Sequence, residues 1–250
     1  MKVKSIIIKA SAVLLALIAW QAAVCYVDLP FLLPSPLSVI KQLFSLIRQD
    51  GFFGILSFTF GKVVKGFLYG FSLGTLLAFL ASKSKIAEAL LWPYMITVKS
   101  VPVASFVILA LLWISSANLS VFISFLMVLP IVYTNVLTGC KSVDKKMVQM
   151  AEVFKLSYRK RFLYILLPAV KPFMLSACSV SFGLAWKSGV AAELIGQPEG
   201  SVGEALYYSK IYLQTEELFA LTLMLIVISV CFEKLFGLLL KLAFKGVEKL

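Results

Sequence analysis

The sequence contains no histidine, which removes the commonest metal ligand and general base. Its four cysteines, Cys25, Cys140, Cys178 and Cys231, are scattered in or beside apolar runs with no CxxC spacing. Neither a metal site nor a disulfide framework is expected from them; packed thiols are the simpler reading. Acidic side chains are scarce, 12 Asp and Glu against 24 Lys and Arg. No G-x-x-x-x-G-K-[ST] phosphate loop is present. The nearest fragment, Gly61-Lys62, lies inside an apolar run and is followed by Val63. H-E-x-x-H and G-x-S-x-G are missing too, and no cluster of Asp, Glu and His sits inside an apolar run. An enzyme working within a membrane needs some such constellation, so the chain is expected to have no catalytic residues, no metal and no cofactor of its own.

What is present is hydrophobic. Of the 250 residues 61% are apolar and the mean hydropathy is +0.97, where soluble domains run at about 45–50% apolar. This composition predicts an all-α, polytopic membrane protein, and one transmembrane domain fills the length, residues 1–250 with a core of about 57–241. In a soluble chain the net charge of +12 would suggest nucleic acid. Here the position of the charges explains it better, and no nucleic-acid partner is expected.

The first apolar run is Ile6 to Tyr26, after Lys2 and Lys4. A secretory signal peptide is the competing reading, but the run is long and lacks a small-x-small cleavage pattern with a soluble domain behind it. Val24 before Cys25 makes a poor lipoprotein signal. The run is read as span one, with Lys9 snorkelling to the inner surface. Asp28 closes it, and Leu33-Pro34-Ser35-Pro36 breaks the chain. Leu37 to Arg48 then carries Leu37, Ile40, Leu43, Phe44 and Ile47 on one face, which predicts an amphipathic helix lying at the outer interface.

Span two is about Ser57 to Ser82. Gly66, Gly70, Gly74, Ala78 and Ser82 recur in it every four residues, a small-residue face suited to close helix–helix contact within one subunit or across a dimer. Lys62 and Lys65 lie one turn apart near its outer end; they face a water-filled path or snorkel to headgroups. Lys83-Ser84-Lys85 is a basic turn. From Ile86 to Ile114 the run is interrupted by Pro93, Lys99 and Pro102, predicting a helix before Lys99, a break, and a span through Trp113. Leu119 to Gly139 is span four, kinked at Pro130. Spans five and six run about Ala169 to Ala192 and Leu218 to Leu240, separated by a polar stretch, Gly196 to Glu217.

With the N-terminus inside, inner segments hold Lys2, Lys4, Lys83, Lys85, the basic interval before Pro168 and the tail lysines Lys241, Lys245 and Lys249. Outer ones hold Lys41, Arg48 and Lys210 against Asp28, Asp50, Glu193, Glu199, Glu204, Glu216 and Glu217. That asymmetry supports about six spans with both termini cytoplasmic.

The interval Lys141 to Pro168, KSVDKKMVQMAEVFKLSYRKRFLYILLP, is the one long polar stretch between two strongly apolar ones. Lys145 to Phe154 places Met147, Met150, Ala151 and Phe154 on one helical face. Ser157 stands at an N-cap position before a second run, Tyr158 to Leu166. Such a pattern suits docking onto a partner; a solvated or headgroup-binding loop is the alternative. Counting back from Leu167-Pro168, the interval resembles the cytoplasmic EAA coupling loop of binding-protein-dependent ABC importer permeases. That pattern reads Glu-Ala-Ala, three residues, Gly, then about ten residues to Leu-Pro. Gln149, Met150 and Ala151 take its first positions and Lys155 its glycine position, both Gln149 and Lys155 being departures. Val143-Asp144, Ser157, the basic cluster and Leu-Pro match. Leu33-Pro34-Ser35-Pro36, Lys99-Ser100-Val101-Pro102, Ala185-Trp186 and Ala192-Glu193-Leu194 extend the likeness over roughly residues 33–240, and it is nearest to the nitrate/sulfonate/taurine subgroup.

The resemblance implies a type I ABC importer permease fold in the plasma membrane, a permease homodimer set in lipid, two cytoplasmic ATPase subunits that bind the ATP, and an extracytoplasmic solute-binding protein. It implies an ATPase-coupling role for Met147, Gln149, Met150, Ala151, Glu152, Phe154 and Ser157, with Glu152 the acid nearest the missing glutamate. Lys99, Lys62 and Lys187 are the candidates for charges in or beside the translocation path, Lys99 first; the alternative is that Lys99 only fixes a helix end. A secondary transporter remains the competing function, though it would usually show inverted repeats and carboxylates at mid-membrane. A membrane enzyme or scaffold is disfavoured by the missing site residues.

Overall fold

The computed structural model describes residues 2–29 and 31–248, without the side chains of residues 2–6, 9, 145 and 246–248. The expected snorkelling of Lys9 and the side-chain placements of Lys2, Lys4, Lys145 and Lys249 lie outside the described residues. The described chain is helical, with no strand. Its helices are α1 (Lys2–Val27), α2 (Pro36–Ile47), α3 (Phe52–Lys83), α4 (Lys85–Ser100), α5 (Val103–Ala110), α6 (Ser116–Lys141), α7 (Lys145–Val153), α8 (Tyr158–Arg161), α9 (Leu167–Gly196), α10 (Val202–Ile211) and α11 (Thr215–Glu248). Five stretches are long and apolar enough to cross a membrane: the Ala10–Val27 part of α1, α3, α6, the continuous run Tyr158–Gly196, and Thr215–Lys245 of α11. The pair α4 and α5 is a sixth if a bent pair counts as one span.

The centre is the trio α3, α6 and α9. Lipid is as apolar as leucine, so helices gain little by hiding hydrocarbon from it and associate instead through close packing. The α3 glycines supply that. A Cβ added at Gly66 would lie 2.3 Å from the Val121 carbonyl oxygen of α6, and at Gly70 it would lie 2.7 Å from Val128 Cβ. Gly74 meets the Leu129 carbonyl oxygen in the same way, at 2.9 Å. The small-residue face therefore packs within the chain, backbone against backbone. On the other side of α3 an aromatic cluster joins α9 and α11: Phe67 stands edge-on to Phe182 and Phe236, with centroids 5.3 and 5.0 Å away, and Phe232 lies 4.5 Å from Phe182.

Two expectations need correction. Pro93 does not interrupt α4; the helix runs through it, and the Thr97 hydroxyl donates to the Pro93 carbonyl at 2.8 Å. The break falls later, at Val101, extended at φ −78°, ψ 133° as a residue before proline must be. After Pro102 the chain turns by 101°, and α5 ends at Ala110, so no straight span reaches Trp113. On α2, Val39 and Leu46 pack inside the bundle, while Leu37, Ile40 and Phe44 of the expected apolar face are exposed. The helix lies along α11, and in a lipid setting hydrophobicity does not tell a protein-facing from a lipid-facing side chain. Pro168 stands in the first turn of α9. Helix α8 passes through a π-helical turn, Phe162–Leu166, straight into α9. A proline has no N–H to give and crowds the preceding turn, and a widened turn is one way a helix absorbs that.

The α3–α6 contact gives a direct test. Gly70→Ala is expected to cost about 1–3 kcal/mol through overpacking, read as a lower melting temperature of the detergent-solubilised protein. Gly237→Ala, where an added Cβ meets nothing within 4 Å, is expected to leave it unchanged or raised. Equal melting of the two variants would remove the close approach as a source of stability.

Candidate functional site

Helix α7 and its flanks form the first candidate site. Asp144 caps α7, its carboxylate accepting the Lys146 amide at 2.9 Å. At the other end Lys155 takes a left-handed conformation, φ +50°. The Leu156 amide donates back to the Ala151 carbonyl and the Lys155 amide to that of Glu152, each at 3.0 Å. This is the helix stop in which a left-handed residue, usually glycine, closes the last turn. It explains why a glycine pattern position falls here, and it means that Lys155 bears the strain a glycine would not. Arg161 of α8 then folds back over the stop. Its Nε donates to the Leu156 carbonyl at 3.1 Å, Nη2 to the Ala151 carbonyl at 3.3 Å, and Nη1 lies 3.7 Å from Glu152 Oε1. Glu152, not Gln149, thus carries the acidic contact of this segment.

The brace turns Ala151 inward, where it is fully buried, and leaves Met147 at 52%, Met150 at 48% and Phe154 at 71% exposure. Gln149 is exposed as well. Ser157 is the N-cap residue of α8 by backbone, its carbonyl accepting the Arg161 amide at 3.0 Å, though its hydroxyl makes no cap bond. The Lys83 ammonium sits over the Tyr158 ring, 4.7 Å from its centroid. Nearby, Lys141 pairs with Glu88 at 2.5 Å, joining the end of α6 to the start of α4.

The three expected path lysines do not converge. Lys62 donates to Asn118 Oδ1 at 2.9 Å, at the start of α6. Lys99 donates to the Thr134 hydroxyl at 3.2 Å, 16 residues or about 24 Å further along the same helix. Lys187 lines a different groove, between α9 and α11, together with Thr222, Ser229 and Glu233. Glu233 itself accepts a hydrogen bond from the Ser179 hydroxyl. That carboxylate, midway along α11, was not singled out in the sequence because it follows an unbroken apolar run. A charged side chain at the bilayer centre costs about 2.5–3.5 kcal/mol on insertion scales, which the polar neighbours of Lys62, Lys99 and Glu233 reduce.

Glu193 is a correction of a different kind. Counted by pattern among outer-surface acids, it is fully buried. The Thr59 hydroxyl of α3 donates to its Oε2 at 2.7 Å and in turn accepts the Val202 amide of α10 at 2.9 Å. The Ser120 hydroxyl and the Gly203 amide approach the same carboxylate. Gly203 packs so tightly that an added Cβ would lie 2.3 Å from Glu193 Cβ. One buried carboxylate thereby ties α3, α9 and α10 together. The sequence signal was slight: an acid between Ala192 and Leu194, continuous with the helix rather than past its end.

Residues 70–248 match the family model of the binding-protein-dependent transport system inner membrane component. The chain belongs to this family. A putative aliphatic sulfonates transport permease protein, SsuC, of Bacillus subtilis is 31% identical over 190 residues, 75% of this chain and 68% of the relative. The nitrate import permease protein NrtB of a Synechocystis strain is 28% identical over 173 residues, 65% of this chain and 63% of the relative. Among solved structures, the crystal structure of an amino acid ABC transporter with histidines superposes with a TM-score of 0.56 over 84% of this chain and 97% of that one, at 19% identity; that likeness speaks to the fold. The protein is a multi-pass inner-membrane ABC importer permease subunit, a transport component similar to permeases of the sulfonate/nitrate subgroup. Permeases of this family act with ATPase and solute-binding partners.

Two outcomes follow for the permease. Lys155→Gly relieves the left-handed strain and is expected to stabilise the α7 stop by about 1 kcal/mol, seen as slower amide exchange at Ala151–Leu156; unchanged or faster exchange would contradict the strain. Thr59→Val strips the buried carboxylate of its hydroxyl donor and is expected to cost about 2–3 kcal/mol. A melting temperature that falls for Thr59→Val but is retained in Thr59→Ser is the result to look for, and a Thr59→Val protein melting like the parent would contradict it.

Proposed function

We propose that this permease works as a homodimer set in lipid, with α7 seated in a groove of a separate cytoplasmic ATPase and both termini on the cytoplasmic side. In this reading it imports a small anionic solute delivered by an extracytoplasmic binding protein. The observation that carries the reading is the state of α7: a short amphipathic helix, capped at both ends and braced by Arg161, whose apolar residues Met147, Met150 and Phe154 stay uncovered. Ordering a helix and then leaving its apolar side chains in water makes physical sense where a partner covers them. Burying each could contribute about 1.5–3 kcal/mol before ordering costs. The charge asymmetry along the sequence supports the orientation. The anionic solute is supported by the sulfonates and nitrate that the relatives' names print. ATP would be bound by the partner subunit, since this sequence carries no phosphate loop.

The test uses Phe154, not Ala151, because Ala151 is buried in the permease itself and an acid there would damage α7 directly. Phe154→Asp is expected to leave insertion intact while solute uptake falls at least about tenfold, the equivalent of about 1.4 kcal/mol of lost docking. The measurement is uptake and ATP hydrolysis by the complex reconstituted in lipid vesicles. Normal coupled uptake by the variant would overturn the assignment.

A further inference from the structure

A groove of about 760 Å³ opens along α3 and the first half of α6. Its polar groups are Lys65, Tyr69 and Ser72 on α3 and Asn118 on α6, and most of the rest is hydrocarbon, Phe122 and Phe125 among it. No carboxylate lines it. Lys65 lies 13 residues from the start of α3 and 18 from its end, about 20 and 27 Å along the helix, so its charge sits well inside the span. Lys62, one turn away, is held by Asn118. Lys65 makes no hydrogen bond or ion pair among the described residues. An ammonium at that depth without a counter-charge faces water or an anion.

We propose that this groove is the station at which the permease holds its solute, and that the solute is an organic anion with an apolar body. The proposal rests on the importer reading given above and adds to it a place and a chemical class. The charge at the site is of one sign, which selects an anion. The polar groups are few and one-sided: an ammonium and two hydroxyls on α3, with the Asn118 amide already engaged by Lys62 and Ser115. A small inorganic oxyanion stripped of water needs donors around it, and the aromatic and aliphatic wall opposite offers none. A ligand with its charge at one end and hydrocarbon at the other satisfies both sides. The volume falls within the range of small-molecule sites, about 300–1,000 Å³. A lysine, a mobile point charge rather than a fork of fixed donors, can hold an anion and release it.

The experiment is thiol labelling in the assembled transporter in lipid vesicles, with Cys25, Cys140, Cys178 and Cys231 replaced and Ser72→Cys introduced. The probes are the anionic 2-sulfonatoethyl and the cationic 2-(trimethylammonio)ethyl methanethiosulfonates, each scaled to its rate with a free thiol. The anionic reagent is expected to react at least about tenfold faster than the cationic one, as a unit charge within a few ångströms implies. Lys65→Met abolishes the difference and Lys65→Arg keeps it. Butanesulfonate slows the labelling, and nitrate at the same concentration does not. A cysteine inert to both reagents would mean that lipid or a second copy fills the groove and would overturn the proposal. So would a charge preference that survives Lys65→Met, or protection by nitrate equal to that by butanesulfonate. The labelling needs no ATP, so failure of α7 coupling and failure of this site are read separately.

Discussion

The fold depends on backbone approaching backbone along α3 and α6. Inside a bilayer there is no water to drive hydrocarbon together, so two long apolar helices stay in register only if their surfaces fit. Gly66, Gly70 and Gly74 lie on one face of α3, and the carbonyl oxygens of Val121, Phe125 and Leu129 occupy the room their missing side chains leave. The same device recurs where α9 meets this pair: a Cβ at Gly189 would lie 2.5 Å from the Ser124 hydroxyl and 2.7 Å from Val63 Cγ2. With three helices fixed this closely, the remaining ones have only to find a place around them. Helices α4 and α5 fold over α6 and α9, α10 closes on α9, and α11 fills the seam left by α9 and α2.

Much of this was legible in the sequence. The four-residue spacing of small residues announced a contact face, although spacing could not say which helix would be met. The number of apolar runs gave the spans, and Ser157 marked a helix start that the structure also has. What was not legible has a common cause. A membrane-embedded side chain is apolar whether it faces lipid or protein, so the stripe on α2 did not show that Val39 and Leu46 would be the residues packed inside. A charged residue in a run is equally ambiguous between a surface and a buried partner. Glu193 was assigned to the outside because its one strong partner, Thr59, is 134 residues away, and no local pattern joins them.

Helix α7 shows a departure from a family pattern made workable by geometry. The position that wants glycine holds Lys155, in the left-handed region. The cost is local, and the surrounding bonds over-determine the turn: two backbone donors close it, and the Arg161 guanidinium adds two more on the same stretch of carbonyls. A stop held by four donors tolerates one unfavourable dihedral. The basic cluster after Ser157 is therefore not uniform in role. Arg161 is turned inward as a brace, while Arg159 and Lys160 remain exposed on the other side of the turn.

Several charges within the spans have found a neutral polar neighbour. Lys62 reaches an amide oxygen, Lys99 a hydroxyl, Glu193 a hydroxyl, and Glu233 another hydroxyl. Each neighbour is neutral, so each contact softens the burial of a charge without cancelling it, and the helices gain a fixed link where the contact forms. Tying Lys62 to Asn118 and Glu193 to Thr59 places two such links on α3 within one turn of each other, both reaching toward the same end of the bundle. That end is thereby made stiff. Lys65 follows directly on it, on a stretch of α3 whose position is set by Gly66, yet with its ammonium left unbound. A charge whose backbone is held fixed and whose head group is free is prepared for a partner that is not part of the chain, and rigidity in its support is what lets such a partner come and go without the bundle rearranging.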